Sequence, residues 1–394
     1  MRWMEWLLPF CLLAFFPLLA TAQDKVNQFN AVEHAVISQT IAPDARSAGM
    51  GDVGVATDPD VNSQYWNPAK YPFAISRAGV ALNYTPWLRQ LVNDMDLAYL
   101  SGYYRIGDYS AVSGSLRYFS LGEVFLSEAE NAMTIKPYEM SFDVAYSMML
   151  SEKFSWAAAL RFIYSDLTYD YTDDTKPGTA FAADLGLYYQ NYLNLGDREC
   201  QLGLGMNVSN IGSKLSYNGG NDPAFLPTNL KLGTSFTFPL ADYHNLTLSL
   251  EGNKLLVPLK PKQSWYLNED GTYNEEEYGI ALQDWKDKSS IAGIFDSFHD
   301  APGGGTEELR EINLSVGAEY VYNQQFFLRG GYFHENKYKG NRQYFGLGAG
   351  FSMNVLRLDA AYIIATAQNS PLDQTLRFTL SFDMDGIKNL FGGR

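Results

Sequence analysis

The sequence predicts an all-β protein, a 14-stranded antiparallel transmembrane β-barrel. Three observations lead to this prediction. Only 19% of the 394 residues are charged and 15% are aromatic, so the chain is less charged than most soluble domains and rich in tyrosine. Fourteen segments alternate apolar and polar residues with the two-residue period of a strand. The links between these segments alternate between short and long, as in bacterial outer-membrane barrels.

Residues 1–22 are predicted to be a cleaved secretory signal peptide. Arg2 precedes an apolar run over residues 6–19, and Ala20-Thr21-Ala22 is a small-x-small cleavage site. An N-terminal membrane anchor is the alternative. Cleavage leaves Cys200 without a partner for an internal disulfide. No later apolar run reaches the length of a spanning helix, so the exported chain is either a soluble protein or an outer-membrane barrel.

The alternating segments are mostly 10–13 residues long, which is the length of a tilted transmembrane strand. In the segment 139–150, for example, Phe142 and Val144 flank Asp143. The apolar alternates are expected to face lipid and the others the lumen. The predicted strands cover residues 75–85, 95–106, 109–120, 138–150, 153–167, 180–190, 199–210, 228–238, 244–256, 311–323, 325–335, 343–353, 355–366 and 374–384.

The links between the predicted strands form two classes. Tight turns are expected near residues 107, 151, 324 and 354. The longer links cover residues 121–137, 168–179, 211–227, 257–310, 336–342 and 367–373. Two links fit less well, because 86–94 is short for an outer loop and 191–198 is long for an inner turn. A soluble β-sandwich, the alternative fold, has no reason to alternate its links in this way.

The charge pattern indicates a filled lumen rather than a selective channel. The formal net charge is −15, which disfavours binding to nucleic acid. The polar alternates of the strands carry both signs, so salt-bridged filling is favoured over conduction. The set contains five basic and six acidic residues: Arg117, Asp143, Arg161, Asp184, Lys231, Glu251, Glu319, Arg357, Asp359, Arg377 and Asp383.

The domain organisation follows from these boundaries. After the signal peptide, residues 23–73 are expected to form a periplasmic segment that folds back into the barrel as a plug. Glycines interrupt its apolar residues, and Asp58-Pro59-Asp60 is a turn signal. Residues 74–384 are the barrel, and residues 385–394 are a periplasmic tail.

The plug segment carries a resemblance to known proteins. The pattern Arg46-x-x-Gly49-Met50-Gly51-Asp52-x-Gly54, followed by Asn67-Pro68-Ala69, resembles the start of FadL-like outer-membrane barrels. In that superfamily the segment forms a hatch inside a 14-stranded barrel. The resemblance therefore implies that Gly49, Gly51, Asn67 and Pro68 belong to a hatch.

A closer resemblance within that superfamily is to the PorV (LptO) family of the type IX secretion system of Bacteroidetes. It is carried by residues 40–46, 60–70, 84–88, 116–122 and 294–304. The resemblance implies a non-enzymatic shuttle and adaptor in the cell outer membrane, with loops at the cell surface. The implied partners are the Sov/SprA translocon, cargo proteins with a type IX C-terminal signal domain, the PorU sortase attachment complex and outer-membrane lipid.

Two outer loops contain apolar residues that solvent contact explains poorly. Trp87, Leu88 and Leu91 are expected either to dock on a partner or to pack against neighbouring loops. In the loop 211–227, prolines hold Phe225 and Leu226 rigidly, so these two residues are expected to plug a partner's lateral opening. The alternative is that this loop folds over its own barrel mouth.

The longest loop, 257–310, carries eleven acidic and five basic residues and either caps the barrel or binds cargo. Residues 281–298 have the apolar spacing of an amphipathic helix, and Phe295 and Phe298 are candidate cargo-binding residues. The loop 168–179 has four nearby aspartates, Asp166, Asp170, Asp173 and Asp174. They suit calcium chemically, but the EF-hand spacing is absent, so a solvated acidic tip is favoured.

No catalytic residue, cofactor or metal is predicted. The four histidines form no recognisable triad spacing, although His334-Glu335 is retained as a weak candidate pair. The chain has no phosphate-binding loop, CxxC pair or HExxH motif. The favoured function is the secretion adaptor, and the alternatives are a FadL-like transporter of hydrophobic small molecules and lipid A deacylation.

Overall fold

The computed structural model describes residues 29–384, apart from residues 90, 91, 93, 129–130, 168–174, 221, 269, 368–369 and 371; the side chains of 126–128 and 131–133 are likewise not described. Several predicted features lie outside the described residues. They are the signal peptide, the C-terminal tail, and Asp170, Asp173 and Asp174 of the acidic loop 168–179. Leu91 also lies outside them. No helix in the described ranges combines the length and the apolar character needed to cross a bilayer.

Fourteen of the sixteen strands form a closed antiparallel barrel, as predicted. Each barrel strand pairs with the next one along the chain, and the last strand pairs with the first, with Tyr84 opposite Phe378. The strands are β1 (Ala78–Pro86), β2 (Asp96–Ile106), β3 (Ser110–Ser120), β4 (Val124–Glu128), β5 (Asn131–Ile135), β6 (Tyr138–Ser151), β7 (Phe154–Asp166), β8 (Gly178–Leu195), β9 (Arg198–Gly212), β10 (Asn229–Ala241), β11 (His244–Leu255), β12 (Asn313–Tyr322), β13 (Phe326–His334), β14 (Gln343–Met353), β15 (Leu356–Ala365) and β16 (Leu376–Asp383). Strands β4 and β5 form a separate hairpin within the loop between β3 and β6.

The alternation of the sequence becomes an apolar outer wall and a polar lumen. In β6, Phe142 and Val144 are exposed on the outside, whereas Asp143 between them is buried inside. Two rows of neighbouring aromatic rings mark the ends of the apolar band. Tyr118 lies 5.7 Å from Tyr138 at one end, and Phe326 lies 5.1 Å from Phe351 at the other, between ring centroids. Such aromatic rows are typical of the two membrane interfaces of a barrel.

Six short turns lie at one end of the barrel, the turn end, and seven longer links lie at the other, the loop end. The link predicted over 191–198 is corrected by the structure. Strand β8 continues to Leu195 and β9 begins at Arg198, so only Gly196 and Asp197 form the turn. Gly196 has a φ of 65°, which glycine adopts without steric cost. Alternation had ended near residue 190 because Gln190 and Asn191 are both polar.

In the described part of the loop between β11 and β12, a 3-10 helix (Gln263–Trp265) is followed by three α-helices rather than one. They are α3 (Glu275–Asp287), α4 (Ser290–Asp296) and α5 (Gly305–Arg310). The single helix predicted over 281–298 is therefore wrong. Lys288 is extended, and the side chain of Ser289 accepts a hydrogen bond from Ala292 N–H, which starts a new helix.

The N-terminal segment runs through the whole lumen, from the loop end to the turn end. We call residues 29–36 the strap and residues 37–73 the hatch. The strap lies among the loops, where Asn30 N–H donates to the carbonyl of Tyr338. The hatch contains α1 (Ala45–Gly49) and α2 (Ser63–Trp66), and the chain leaves it at the turn end, where Arg105 donates to the carbonyl of Ala74 at 2.7 Å.

We predict that Leu248→Arg destabilises the barrel by about 2–4 kcal/mol, because a lipid-facing arginine in the middle of a barrel strand has that cost. Leu248 is 48% exposed on the outer wall, midway along β11. Unfolding in urea with lipid vesicles, followed by the heat-dependent shift on a gel, measures the change. Leu248→Ala is the control for lost packing. An arginine variant as stable as that control would contradict the assignment of this wall to lipid.

Candidate functional site

The hatch is held in the lumen by a buried cluster of ions. Arg46 of α1 lies between Asp60 of the hatch, at 2.9 Å, and Glu319 of β12, at 2.8 Å. Glu319 also pairs with Arg329 of β13 at 2.6 Å, and Arg329 lies 2.8 Å from Asp359 of β15. Glu319 therefore joins the hatch to three barrel strands through two arginines.

Two further ion groups lie around the lumen. Arg377 of β16 pairs with Asp52 of the hatch at 2.7 Å. On the opposite wall, Arg161 of β7 pairs with Asp143 at 3.2 Å and with Asp184 at 2.7 Å. The mixed-sign alternates of the sequence are thus used for salt-bridged filling, the arrangement that the sequence favoured. A buried charge without a partner is costly, so these pairs need one another.

Lumen side chains also satisfy the backbone of the hatch, which has little secondary structure of its own. Glu251 of β11 accepts hydrogen bonds from the N–H groups of Gly54 and Val55, both at 2.8 Å. Arg117 of β3 donates to the carbonyls of Ser38 and Ile41 at 2.6 and 2.9 Å. Buried backbone polar groups require such partners, so these strand residues fix the path of the hatch.

The four predicted hatch residues all lie in the hatch and are buried. Gly51 has a φ of 71°, and a Cβ there would lie 2.6 Å from the backbone nitrogen of Tyr332. A Cβ on Gly49 would lie 2.9 Å from the Cα of Gly348 in β14. Asn67 caps the 3-10 helix Pro68–Phe73 by accepting from Ala69 N–H, and its side-chain amide donates to the carbonyl of Leu187. Only glycine allows the backbones to approach this closely.

The hatch therefore packs against the barrel on both sides. The helix α1 contacts strands β13 to β16. The 3-10 helix Pro68–Phe73, at the end of the hatch, contacts β3, β6, β7 and β8. Lys231 of β10 lies 4.2 Å and 4.4 Å from the ring centroids of Tyr65 and Trp66. The lumen is filled by ion pairs, hydrogen bonds and rings, and any ligand moving through it would have to displace them.

Three loops form a cap at the loop end, which we define as residues 213–228, 256–312 and 335–342. Trp285 of α3 is buried in it, and its indole N–H donates to the carbonyl of Pro258 at 3.1 Å. Phe225 packs edge-on against Trp285, with 5.2 Å between the ring centroids. Lys214 lies 4.1 Å from the centroid of the Phe225 ring. The longest loop thus caps the barrel mouth, one of its two predicted arrangements.

Phe225 and Leu226 are not presented to a partner. Each side chain is 3% exposed, Phe225 in the cluster around Trp285 and Leu226 in a cluster with Ile163 and Leu215. The structure has the alternative arrangement, in which this loop folds over its own barrel mouth. The cap supplies an apolar pocket for each side chain. Because these pockets belong to the same chain, filling them has no entropic cost of association with a second protein.

Trp87 and Leu88 also pack inward. Both are partly buried against Phe333, Tyr344 and nearby residues, and Trp87 N–H donates to the carbonyl of Met95. They cover the barrel mouth beside the cap, which is the packing alternative that the sequence left open.

Phe295 and Phe298 are the predicted partner residues that do lie at the surface. Phe295 is 67% exposed and Phe298 is 48% exposed. Three further large apolar side chains of the cap helices are exposed: Ile280, Ile291 and Leu309. We call these five residues the apolar cap residues. Ile280 and Leu309 were not predicted to be surface residues. Each lies close to glutamates in the sequence, and this was the only signal of their exposure.

A buried ion cluster inside the cap was not predicted from the sequence. Lys339 lies 2.6 Å from Glu307 and 2.9 Å from Glu311, and Lys254 pairs with Glu308 at 3.0 Å and with Glu311. These four loop residues and the strand residue Lys254 join α5, the β13–β14 loop and the end of β11.

The structure also describes the surroundings of the potential metal ligands and of the histidines named as candidates. Within the described ranges, no group of three His, Cys, Asp or Glu residues is arranged to hold a metal ion. Glu335 of the His334-Glu335 pair is bound by Arg342, whose Nε and Nη2 donate to it at 2.9 and 2.7 Å. His34 lies in the strap, with Nδ1 3.0 Å from the carbonyl oxygen of Ala35.

Comparison with solved structures identifies the class of fold. A mutant of the monoaromatic hydrocarbon channel TodX aligns with a TM-score of 0.51 at 13% identity, over 86% of this chain and 98% of that one. The toluene transporter TbuX of Ralstonia pickettii aligns at 0.48 and 13% identity, over 88% and 99%. A FadL homologue of Pseudomonas aeruginosa aligns at 0.40 and 12% identity, over 87% and 99%. No curated protein sequence matches.

The closed sheet and the hatch in its lumen define a 14-stranded β-barrel with a FadL-like fold. Within that class, the chain belongs to the family of type IX secretion system protein PorV, whose family model matches residues 23–262. The resemblance to the PorV family is thereby confirmed, and the FadL-like fold expected from the hatch motif is the fold observed.

We predict that Glu319→Gln destabilises the barrel by about 3–5 kcal/mol, because removing one partner leaves buried arginine charge uncompensated. Denaturant unfolding of the purified protein in detergent measures the loss. Glu139→Gln is the matched control, because Glu139 is also a buried lumen carboxylate but accepts a hydrogen bond from Ser38 N–H instead of holding two arginines. Equal effects of the two variants would mean that the cluster does not depend on Glu319.

We predict that the stability of the cap depends on pH. Burial raises the pKa of Asp300 to about 6, and the nearby Glu311 and Glu308 carboxylates act in the same direction. Asp300 Oδ2 accepts a hydrogen bond from Leu259 N–H at 2.7 Å. Because the pKa is raised in the folded loop, this contribution to cap stability is complete below about pH 4 and is lost as the pH rises through about 6.

Amide hydrogen exchange of residues 256–262, corrected for the intrinsic rate, measures this change. We expect more exchange at pH 8 than at pH 5.5 in the wild type. In Asp300→Asn, which keeps an acceptor oxygen without the charge, we expect the same protection at both values. Identical pH dependence in the two proteins would contradict the role assigned to Asp300.

Proposed function

We propose that this protein is a non-enzymatic shuttle and adaptor of type IX protein secretion. In this role it docks on the Sov/SprA translocon, receives cargo by its C-terminal signal domain and passes it to the PorU-containing attachment complex. Membership of the PorV family supports a place in this secretion system. The adaptor role itself is the proposal.

The observation that supports an adaptor most directly is the contrast between the lumen and the cap. The lumen is filled by a hatch fixed through Glu319, Glu251 and Arg117. A transporter of hydrophobic molecules needs an apolar path, whereas these groups are ionic and already paired. The surface offers the apolar area that protein partners bind, so the function is assigned to the surface.

The apolar cap residues are the proposed docking surface. They lie at the loop end, which faces the cell exterior in barrels with short periplasmic turns. Phe295 and Ile291 lie on the one helix α4, with exposed fractions of 67% and 64%. Exposed aromatic and aliphatic side chains surrounded by polar ones are typical of protein-binding patches. Leu88, Phe225 and Leu226 have no part in this surface, because they support the cap from inside.

We predict that the double variant Phe295→Asp, Phe298→Asp loses at least about tenfold of its co-purifying partner. Two buried interface rings contribute more than about 1.4 kcal/mol, the equivalent of tenfold in binding. The tagged protein is extracted gently from its native outer membrane, and mass spectrometry quantifies a second, very large barrel and secreted proteins that share a C-terminal domain.

Tyr273→Asp is the matched control, because Tyr273 lies in the same loop, is 55% exposed and is not an apolar cap residue. We expect this variant to keep its partners. Undiminished co-purification by the double variant would exclude the cap surface from docking. A wild-type protein that carries only fatty acids or other apolar molecules would instead favour transport.

A further inference from the structure

The strap lies in a cleft of the cap like a bound peptide. Its backbone makes three hydrogen bonds to the cleft. Asn30 N–H donates to the carbonyl of Tyr338 at 2.7 Å and Ala35 N–H donates to the carbonyl of Phe225 at 2.9 Å. The carbonyl of Phe29 accepts from Lys262 Nζ at 3.1 Å. The side-chain amide of Asn30 donates to Glu307 of α5 at 3.0 Å. Main-chain hydrogen bonds of this kind are how proteins hold extended peptides.

Two apolar pockets of the cleft receive side chains of the strap. Val32 packs against the first pocket, formed by Phe225, Val257 and Trp285. Val36 and Ala35 enter the second pocket, and Val36 is 2% exposed there. The second pocket is formed by Ile163, Ala180, Ala182, Leu215 and Leu226. Alternate pockets with main-chain hydrogen bonds between them are the elements of a sequence-selective peptide site.

The strap joins the hatch at a strained residue. Val36 has φ 55° and ψ 68°, a left-handed conformation that is strained for a β-branched residue. On the hatch side, the carbonyl of Ser38 is held by buried Arg117. On the strap side, Phe29 is 63% exposed. Release of the strap would relieve the strain at Val36 and leave the contacts of the hatch intact.

We propose that this cleft is a peptide-binding site and that the strap occupies it as an internal competitor. The exchanging ligand is an extended segment of a second protein, with aliphatic residues three or four positions apart and a side-chain donor two positions before the first. This chemistry is that of Asn30, Val32 and Val36. The inference goes beyond the adaptor role, because it assigns a site and a mode of binding whichever protein presents the segment.

The test uses a fluorescent synthetic peptide of residues 29–36, with sequence FNAVEHAV. It is titrated into the purified full-length protein and into a variant that lacks residues 23–36 but keeps its signal peptide. We expect the shortened protein to bind the peptide at least about tenfold more tightly, because a tethered competitor has an effective concentration near the millimolar range. A peptide with Val32→Asp should not bind. One with Phe29→Tyr, changed at a side chain that is 63% exposed, should bind normally.

A second variant covers the case in which the shortened chain does not fold. Val32→Asp in the full-length protein puts a charge into the first pocket, which expels the strap and keeps the hatch. Folding is checked by the heat-dependent gel shift. A folded variant of either kind that fails to bind the peptide would overturn the proposal. Two further results would overturn the proposal, because each would make the strap a structural part of the cap. One is peptide binding by the wild type as tight as that by the shortened protein. The other is a loss of amide hydrogen-exchange protection in α5 when the strap is absent. Purified protein suffices, so the outcome is independent of the co-purification experiment.

Discussion

The structure depends on the need to satisfy the charges that the barrel turns toward its lumen, by an opposite ion, a backbone group of the hatch or an aromatic ring. Strand alternation sends one residue in two inside, and in this chain many of these residues are ionised. An isolated ion there would lose its hydration without compensation. Glu319, which is shared by Arg46 and Arg329, shows how the requirement is met, because one carboxylate satisfies a hatch cation and a barrel cation together.

This constraint explains why the hatch is a fixed part of the barrel and has little helix or strand. Its backbone bonds to strand side chains such as Glu251 and Arg117 instead of to itself. Its glycines allow the main chain to lie directly on the strand backbone. A lumen filled in this way leaves the loops as the accessible surface, and the cap buries Phe225 and Trp285 there while leaving Phe295 outside.

The barrel could be predicted from sequence because alternation is a local property that the membrane enforces on each strand. The last strand, predicted over 374–384, occupies Leu376–Asp383. The cap could not be predicted, since nothing local distinguishes Phe225, which is buried against Trp285, from Phe295, which is exposed. The path of the strap depends on contacts such as Asn30 with Glu307, which are 277 residues apart in the chain. The failure at β8 was also non-local, because pairing with β9 carries a polar stretch past the point where alternation stops.

The position of the closing seam has a consequence for assembly. Strands β1 and β16 pair only after the whole chain has been made, so the lumen stays open along one side until then. The N-terminal segment passes through the finished barrel from end to end, with ion pairs on both walls. Laying this segment against the open sheet is topologically simple, whereas threading it through a closed ring would require breaking those pairs. Closure of the sheet around the segment is the order of events that breaks no ion pair, so we expect a defect in the segment to appear as failed closure of the barrel rather than as a leak.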